Sequence, residues 1–191
     1  MVLDALEQSG RAEDTIIIMS CDHGEMLGSH NLYQKGVMYD RSIRVPCVIS
    51  GPGLEPGRRA QLASQVDMAP TVLELLGMKP LERAQGESLA PMLQDDTLPG
   101  RQYIFSEFNG YLDGGFKVRA CMSSRHKYVY HHQDRDQLFD YVSDPGETSN
   151  LVDDPDYSDT VHEMREALCE WMRETGDFLT PTWAEGSAPS P

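Results

Sequence analysis

"TIIIMSCDHGEMLGSH" (Thr15–His30) decides how this chain is to be read. Three isoleucines and a methionine make a short, β-branched, uninterrupted apolar run. Such a run suits a strand covered on both faces, as in a parallel sheet. It ends on Asp22 and His23, two groups that resist burial. Either this end of the strand faces solvent, or something there needs a carboxylate beside an imidazole. In open α/β sheets ligands sit beyond the carboxyl ends of the strands. Gly24 then lets the backbone turn sharply or approach a ligand closely.

Working outward, Val2, Leu3 and Leu6 recur at helical spacing, and Gly10 can stop that helix. "VPCVIS" (Val45–Ser50) is a second strand-like run, closed by "GPGLEPG". In "VDMAPTVLELLG" Asp67 is the expected N-cap, Pro70 lies in the first turn, Val72, Leu73, Leu75 and Leu76 follow, and Gly77 ends the helix. Residues 1–78 thus read helix, strand, long loop, strand, loop, helix, which is an α/β pattern. After about Pro99 the character changes. "QYIFSEF", "GFKVRACM", "HKYVYHH" and "QLFDYV" are short, aromatic and β-branched, and turn residues separate them, as in an antiparallel meander. Asp154 can cap a last helix with Pro155 at its first position. Val161, Met164, Leu168, Trp171 and Met172 share one face of that helix. The expected organisation is an α/β region over 1–98, an antiparallel sheet plus helix over 99–176, and a disordered tail over 177–191.

Among 191 residues, 31 acids against 16 bases give a formal charge of −15. No basic stripe is available to neutralise phosphates, so nucleic acid and anionic membranes are not expected partners. An anionic substrate would need a metal or a few placed cations. The four cysteines form no C-x-x-C pair, which argues against a structural zinc site. Cys21 and Cys47 lie in or beside apolar runs and read as small buried hydrophobes. No run of 18 apolar residues exists, and "MVLDALEQSGRAED" is no signal peptide. The compartment is cytoplasmic if Met1 is the true start and open otherwise.

Asp22 offers an oxygen ligand to a hard cation such as calcium or magnesium. His23 offers a neutral nitrogen ligand or, protonated, a donor to an anionic oxygen. Lys35 follows in a polar loop that returns toward the sheet at "RVPCVIS", where it can meet an anionic oxygen as a compact charge. His30 and Arg44 are weaker candidates for ligand contact. Each also has a structural reading: Asp22 as a turn residue, His23 as a hydrogen-bonded surface histidine, Lys35 as one exposed lysine.

The stretch from Thr15 to Gly53 resembles the second metal-binding segment of the sulfatase family, within the alkaline-phosphatase-like superfamily. There an apolar strand leads into Asp, His or Asn, and Gly; a lysine follows, then "S-x-R-V-P". Here the lysine stands in Tyr33-Gln34-Lys35, and Ser42-Ile43-Arg44-Val45-Pro46 follows. "QVDMAPTVLELLGM" and "GESLAPML" resemble the next helix and loop. The stretch 117–155 resembles the C-terminal subdomain, with its "L-[YF]-D-x-x-x-D-P-x-E-x-x-N-L" pattern. The resemblance implies that Asp22 is a calcium ligand and that His23 is a ligand or touches the ester oxygens. Lys35 then binds the sulfate and steadies charge on the leaving oxygen. The implied activity is metal-dependent hydrolysis of a small-molecule or sugar sulfate ester.

Family members also carry an upstream half with two more aspartates and a C/S-x-P-S-R-like motif converted to formylglycine. The 21 residues before Asp22 are too few to supply that half and hold no such motif. The chain is therefore expected to be the C-terminal portion of a sulfatase, inactive alone, with the upstream half or a second copy as partner. The fold expected is the C-terminal part of a mixed, mostly parallel sheet with flanking helices, plus a small antiparallel subdomain with a C-terminal helix. "CMSSR" (Cys121–Arg125) resembles the nucleophile motif but lies downstream of the metal segment, inside the stretch matching the C-terminal strands. It is set aside, and Arg125 and Lys127 are read as strand-edge polar residues. Two alternatives stand beside the sulfatase reading: a phosphonate monoester or phosphodiester hydrolase of the same superfamily, and a non-catalytic binding module. "FNGYLDGGF" (Phe108–Phe116) is the one local candidate for substrate specificity.

Overall fold

The computed structural model describes residues 1–110, 116–179 and 181. Most of the "FNGYLDGGF" loop and most of the tail therefore lie outside the described residues. The chain forms two compact units interleaved in sequence: Met1–Gly24 with Arg44–Gly100, and Glu25–Ile43 with Arg101–Pro191. The segment 25–43, which from sequence alone goes with the first region, thus folds with the second.

The first unit holds α1 (Val2–Gln8), β1 (Ile17–Ser20), β2 (Cys47–Ser50), a helix over Met68–Leu75 and a short helix over Ala90–Gln94. β1 and β2 pair antiparallel, Ile17 opposite Ser50 and Ser20 opposite Cys47. Neither strand is covered on both faces as the isoleucine run suggests: Met19 is 51% and Val48 52% exposed. Cys21 and Cys47 are likewise exposed rather than buried. Apolar neighbours along the chain do not bury a side chain; only another element laid across the strand pair would.

Asp67 corrects the expected cap. The capping residue is Ser64, at the head of a 3-10 turn over Gln65–Asp67 that runs into the helix. Asp67 reaches back and accepts from the Ser64 amide at 2.6 Å, closing a capping box. Its other oxygen accepts from the Glu87 amide at 2.9 Å. Thr71 donates to the Asp67 carbonyl and accepts from the Leu89 amide. A fully buried carboxylate thus ties "VDMAPT" to "GESLA". Gly86 is obligatory there, because a Cβ would stand 2.1 Å from the Val66 carbonyl oxygen.

In the second unit four strands form a meander, in sheet order β3 (Ile104–Phe108), β4 (Val118–Met122), β5 (His126–His131) and β6 (Gln137–Asp140), all antiparallel. Side chains alternate between its faces. Cys121, Tyr128, Tyr130 and Leu138 pack with Val161, Met164, Leu168 and Met172 of the final helix, Ser158–Thr175. Val118, Ala120 and Val129 form the opposite core with Met38. That helix begins after an Asp154 cap with Pro155 next, as expected, and ends on Gly176 at φ 68°. Burying a side chain such as Leu168 contributes about 1.5–3 kcal/mol.

The "L-F-D-Y-V-S-D-P-G-E-T-S-N-L" stretch is explained residue by residue. Asp140 takes a fork from Arg125. Asp144 accepts from the amides of Thr148 and Ser149. Asn150 bridges the Leu138 amide and the Asp136 carbonyl. Lys127 is not a strand-edge residue: it is 0% exposed, paired with Asp40 at 2.6 Å and with Glu147. β5 is an inner strand, so a lysine on it needs acidic partners to be tolerated. No helix of the described residues is long and apolar enough to cross a membrane.

Candidate functional site

Asp22 and His23 leave β1 on a turn rather than continuing the strand, so adjacent side chains face one point. The Asp22 carboxylate accepts from the next residue's amide at 2.9 Å, a local bond that fixes its side chain. The Gln65 side-chain amide donates to the Asp22 carbonyl at 2.9 Å and to that of Cys21. A residue from the capping-box segment thus pins the turn. Nothing in the sequence marked Gln65, because its role depends on a contact across the fold.

The imidazole is oriented from one side. His23 Nδ1 lies 2.7 Å from the Gly24 carbonyl oxygen, which only accepts, so Nδ1 carries the proton. In the neutral ring Nε2 is then a lone pair, and it lies 3.4 Å from Asp22 Oδ2. Two acceptors facing each other repel unless a cation or a proton lies between them. The pair is accessible, with the Asp22 side chain 86% and that of His23 41% exposed. An imidazole nitrogen and a carboxylate oxygen on one point fit two positions of a divalent-ion shell. Calcium takes 6–8 ligands, mostly oxygens. Among the described residues no group of three or more His, Cys, Asp or Glu converges.

Lys35 is carried by the second unit and is exposed. Its neighbours Gln34 (φ 69°) and Gly36 (φ 97°) both adopt left-handed backbone, as do Leu27, His30 and Asn31 earlier in the loop. Strained backbone gathered in one short loop is a feature of functional segments. A Cβ on Gly36 would lie 3.1 Å from the Phe108 ring, so the chain beside Lys35 presses directly on the sheet. His30 stacks on Tyr39 with ring centroids 3.8 Å apart, a role for that ring within the loop. Arg44 is exposed in the first unit.

Cys121 has none of the character of a nucleophile. It is fully buried in the sheet, and burial, aided by Glu163, pushes its thiol far above the usual range.

The family description "N-sulphoglucosamine sulphohydrolase, C-terminal" matches residues 28–174. The chain belongs to the sulfatase family. An arylsulfatase of Clostridium perfringens is 30% identical over 182 residues, covering 91% of this chain and 37% of the relative. Among solved structures, a 2-O GAG sulfatase superposes with a TM-score of 0.85 at 29% identity, covering 98% of this chain and 41% of that one. The phosphonate monoester hydrolase of Agrobacterium radiobacter gives a TM-score of 0.78 at 29% identity, covering 91% and 38%. This sulfatase-family chain therefore spans little more than a third of the length of the curated relatives it matches. The mixed α/β class, with its antiparallel sheet and C-terminal helix, is shared with these neighbours.

Proposed function

We propose that the full-length protein hydrolyses sulfate monoesters with the help of a divalent cation, calcium foremost, and that this chain supplies Asp22, His23 and Lys35 to that site. The observation that carries the reading is that Asp22 Oδ2 and His23 Nε2 lie 3.4 Å apart on one accessible point, an arrangement that suits a divalent cation when the ring is neutral. Family membership supports the ester-hydrolase class.

Asp22 and His23 would hold the ion, with further ligands from outside this chain's own set. A bound calcium ion supplies Lewis-acid polarisation of an ester oxygen and offsets the charge of the sulfate. Lys35 donates from its ammonium to a sulfate oxygen and stabilises the negative charge that grows on the leaving oxygen as the bond breaks. The Gly24 carbonyl keeps the His23 proton on Nδ1, which leaves Nε2 available. In this reading the nucleophile is a hydrated formylglycine on a segment upstream of residue 1, and the isolated chain is inactive. The substrate is a small-molecule or sugar sulfate; a 2-O GAG sulfatase among the structural neighbours favours a sugar.

A second reading, phosphonate monoester or phosphodiester hydrolysis, is favoured by the likeness to the Agrobacterium radiobacter enzyme. Phosphorus and sulfur esters make similar demands on a cation and an ammonium. Turnover of 4-nitrophenyl sulfate against 4-nitrophenyl phenylphosphonate by the full-length protein, with and without chelator, separates the two. The expected result is preferred sulfate cleavage that chelation abolishes. Preferred phosphonate cleavage transfers the proposal to the second reading, and chelator-resistant turnover of either ester rejects the role of Asp22 and His23.

A further inference from the structure

The loop that carries Lys35 does not hold itself in place. Lys35 is exposed, its flanking residues are in left-handed backbone, and the helix that follows, α2 (Asp40–Ile43), is a single turn. One turn is far too short to be stable alone. What fixes it comes from the far end of the chain. The first amide of that turn, Asp40 N–H, donates to Glu147 Oε2 at 2.7 Å. The Asp40 carboxylate takes the Lys127 ammonium at 2.6 Å, and Lys127 in turn contacts the other oxygen of Glu147. Lys127 and Glu147 are 0% and 3% exposed, so this is a desolvated ring of charge-assisted bonds rather than a surface pair. Glu147 itself sits at φ 53°, held by the Asp144 turn. A strained glutamate kept at one position invites a reason.

Simple stability is a poor reason. Two apolar residues of similar size would fill the same space at no greater cost. The ring does instead what apolar groups cannot: it bonds one chosen backbone amide, five residues beyond Lys35, and fixes the register of the loop. Met38, buried against Val118, Ala120 and Val129, and Tyr39, against Phe139 at 5.8 Å, complete the seat between Lys35 and Asp40.

From this geometry we infer that the buried Lys127–Glu147 pair is a positioning device for Lys35, setting the reach of its ammonium through the Asp40 amide. The inference rests on the anion-binding reading of Lys35 given above. Neither Lys127 nor Glu147 touches substrate.

The experiment is aryl sulfate kinetics on the full-length protein in four forms: wild type, Lys35→Ala, the double variant Lys127→Met with Glu147→Met, and the triple. The double variant removes both buried charges together, and so leaves neither uncompensated. Glu147→Met alone serves if the double variant does not fold, because it takes the acceptor away from the Asp40 amide while Lys127 keeps Asp40 as its partner. The double variant is expected to lose about tenfold or more in kcat/KM, mostly in kcat, and to lose more with poorer leaving groups, as Lys35→Ala does. In the Lys35→Ala background the same change should cost no more than about twofold, since the two act through one ammonium. Trypsin nicking after Lys35 in the folded protein should speed up about tenfold. Lys127→Arg, which keeps the charge, should restore part of the rate.

A double variant within about twofold of wild type, with Lys35→Ala strongly impaired, overturns the positioning role and leaves the anion reading intact. A loss fully additive with Lys35→Ala also overturns it. Lys35→Ala with wild-type kinetics overturns both.

Discussion

His23 Nε2 lies 3.4 Å from Asp22 Oδ2, while its other ring nitrogen is committed to the Gly24 carbonyl. The geometry brings a ring nitrogen and a carboxylate to one accessible point. Replacing Asp22 by Asn removes the charge and keeps the shape. Calcium affinity of the full-length protein, measured by calorimetry, should then fall by about tenfold or more. Equal affinity in the two proteins would remove Asp22 from the ion's shell.

Gly36 is the point at which the Lys35 loop rests on the sheet. Gly36→Ala forces a side chain into φ 97° and brings its Cβ to 3.1 Å from the Phe108 ring. A stability loss of about 1–2 kcal/mol is expected from denaturant unfolding. The aryl sulfatase rate of the full-length protein should fall with it. A stable variant with full activity would show that the loop tolerates displacement here.

Asp67 holds two segments of the first unit by one buried carboxylate. Asp67→Ala strands the amides of Ser64 and Glu87, at a cost of about 2–4 kcal/mol. The 3-10 turn loosens, and with it the Gln65 amide that pins the Asp22 turn. Thermal unfolding checks the first effect. Gln65→Ala isolates the second, with calcium binding impaired and the melting temperature nearly unchanged.

Acid should weaken the C-terminal sheet through Asp140. The Arg125 fork, together with the Ser143 and Val142 amides, holds its carboxyl well below the usual range despite burial. A folded-state value below the unfolded one means stabilisation that is complete above the ordinary carboxylate range and lost as pH falls through the folded value. The melting temperatures of wild type and Asp140→Asn should therefore start to converge below about pH 5 and go on converging as the pH falls further. A gap independent of pH would contradict this.

The cysteines give a chemical check on burial. Cys21 and Cys47 are exposed, and Cys121 is buried with its thiol pushed up by desolvation. In this chain a disulfide reagent should modify Cys21 readily, Cys47 more slowly because burial raises its thiol as well, and Cys121 only after unfolding. Fast native labelling of Cys121 would mean that the sheet core opens.

What could be read in the sequence was whatever depends on neighbours along the chain. The short aromatic and β-branched runs between turn residues mark the antiparallel meander, and the spacing of Val161, Met164, Leu168 and Met172 marks the helix face that packs on it. Asp22 beside His23 was legible because two donors on one turn meet whatever the rest of the chain does. Lys127 was misread because a lysine's burial is decided by Asp40 and Glu147, residues remote from it in sequence. Cys21 and Cys47 were misread for the converse reason: apolar flanks raise the prospect of burial, but nothing local says what lies across the strands. Asp67 was assigned to the right helix start but the wrong role, since Ser64 begins the cap and Glu87 supplies the second amide. Gln65 and the Lys127–Glu147 ring carried no local signal at all.

The central claim is that Asp22, His23 and Lys35 serve one sulfate-ester site. It is tested most directly by a crystal structure of the full-length protein with calcium and inorganic sulfate. The account predicts calcium at about 2.3–2.6 Å from an Asp22 carboxylate oxygen, with the Lys35 ammonium within hydrogen-bond distance of a sulfate oxygen beside it. Calcium bound elsewhere, or Lys35 directed away from an anion that sits at Asp22 and His23, would contradict it.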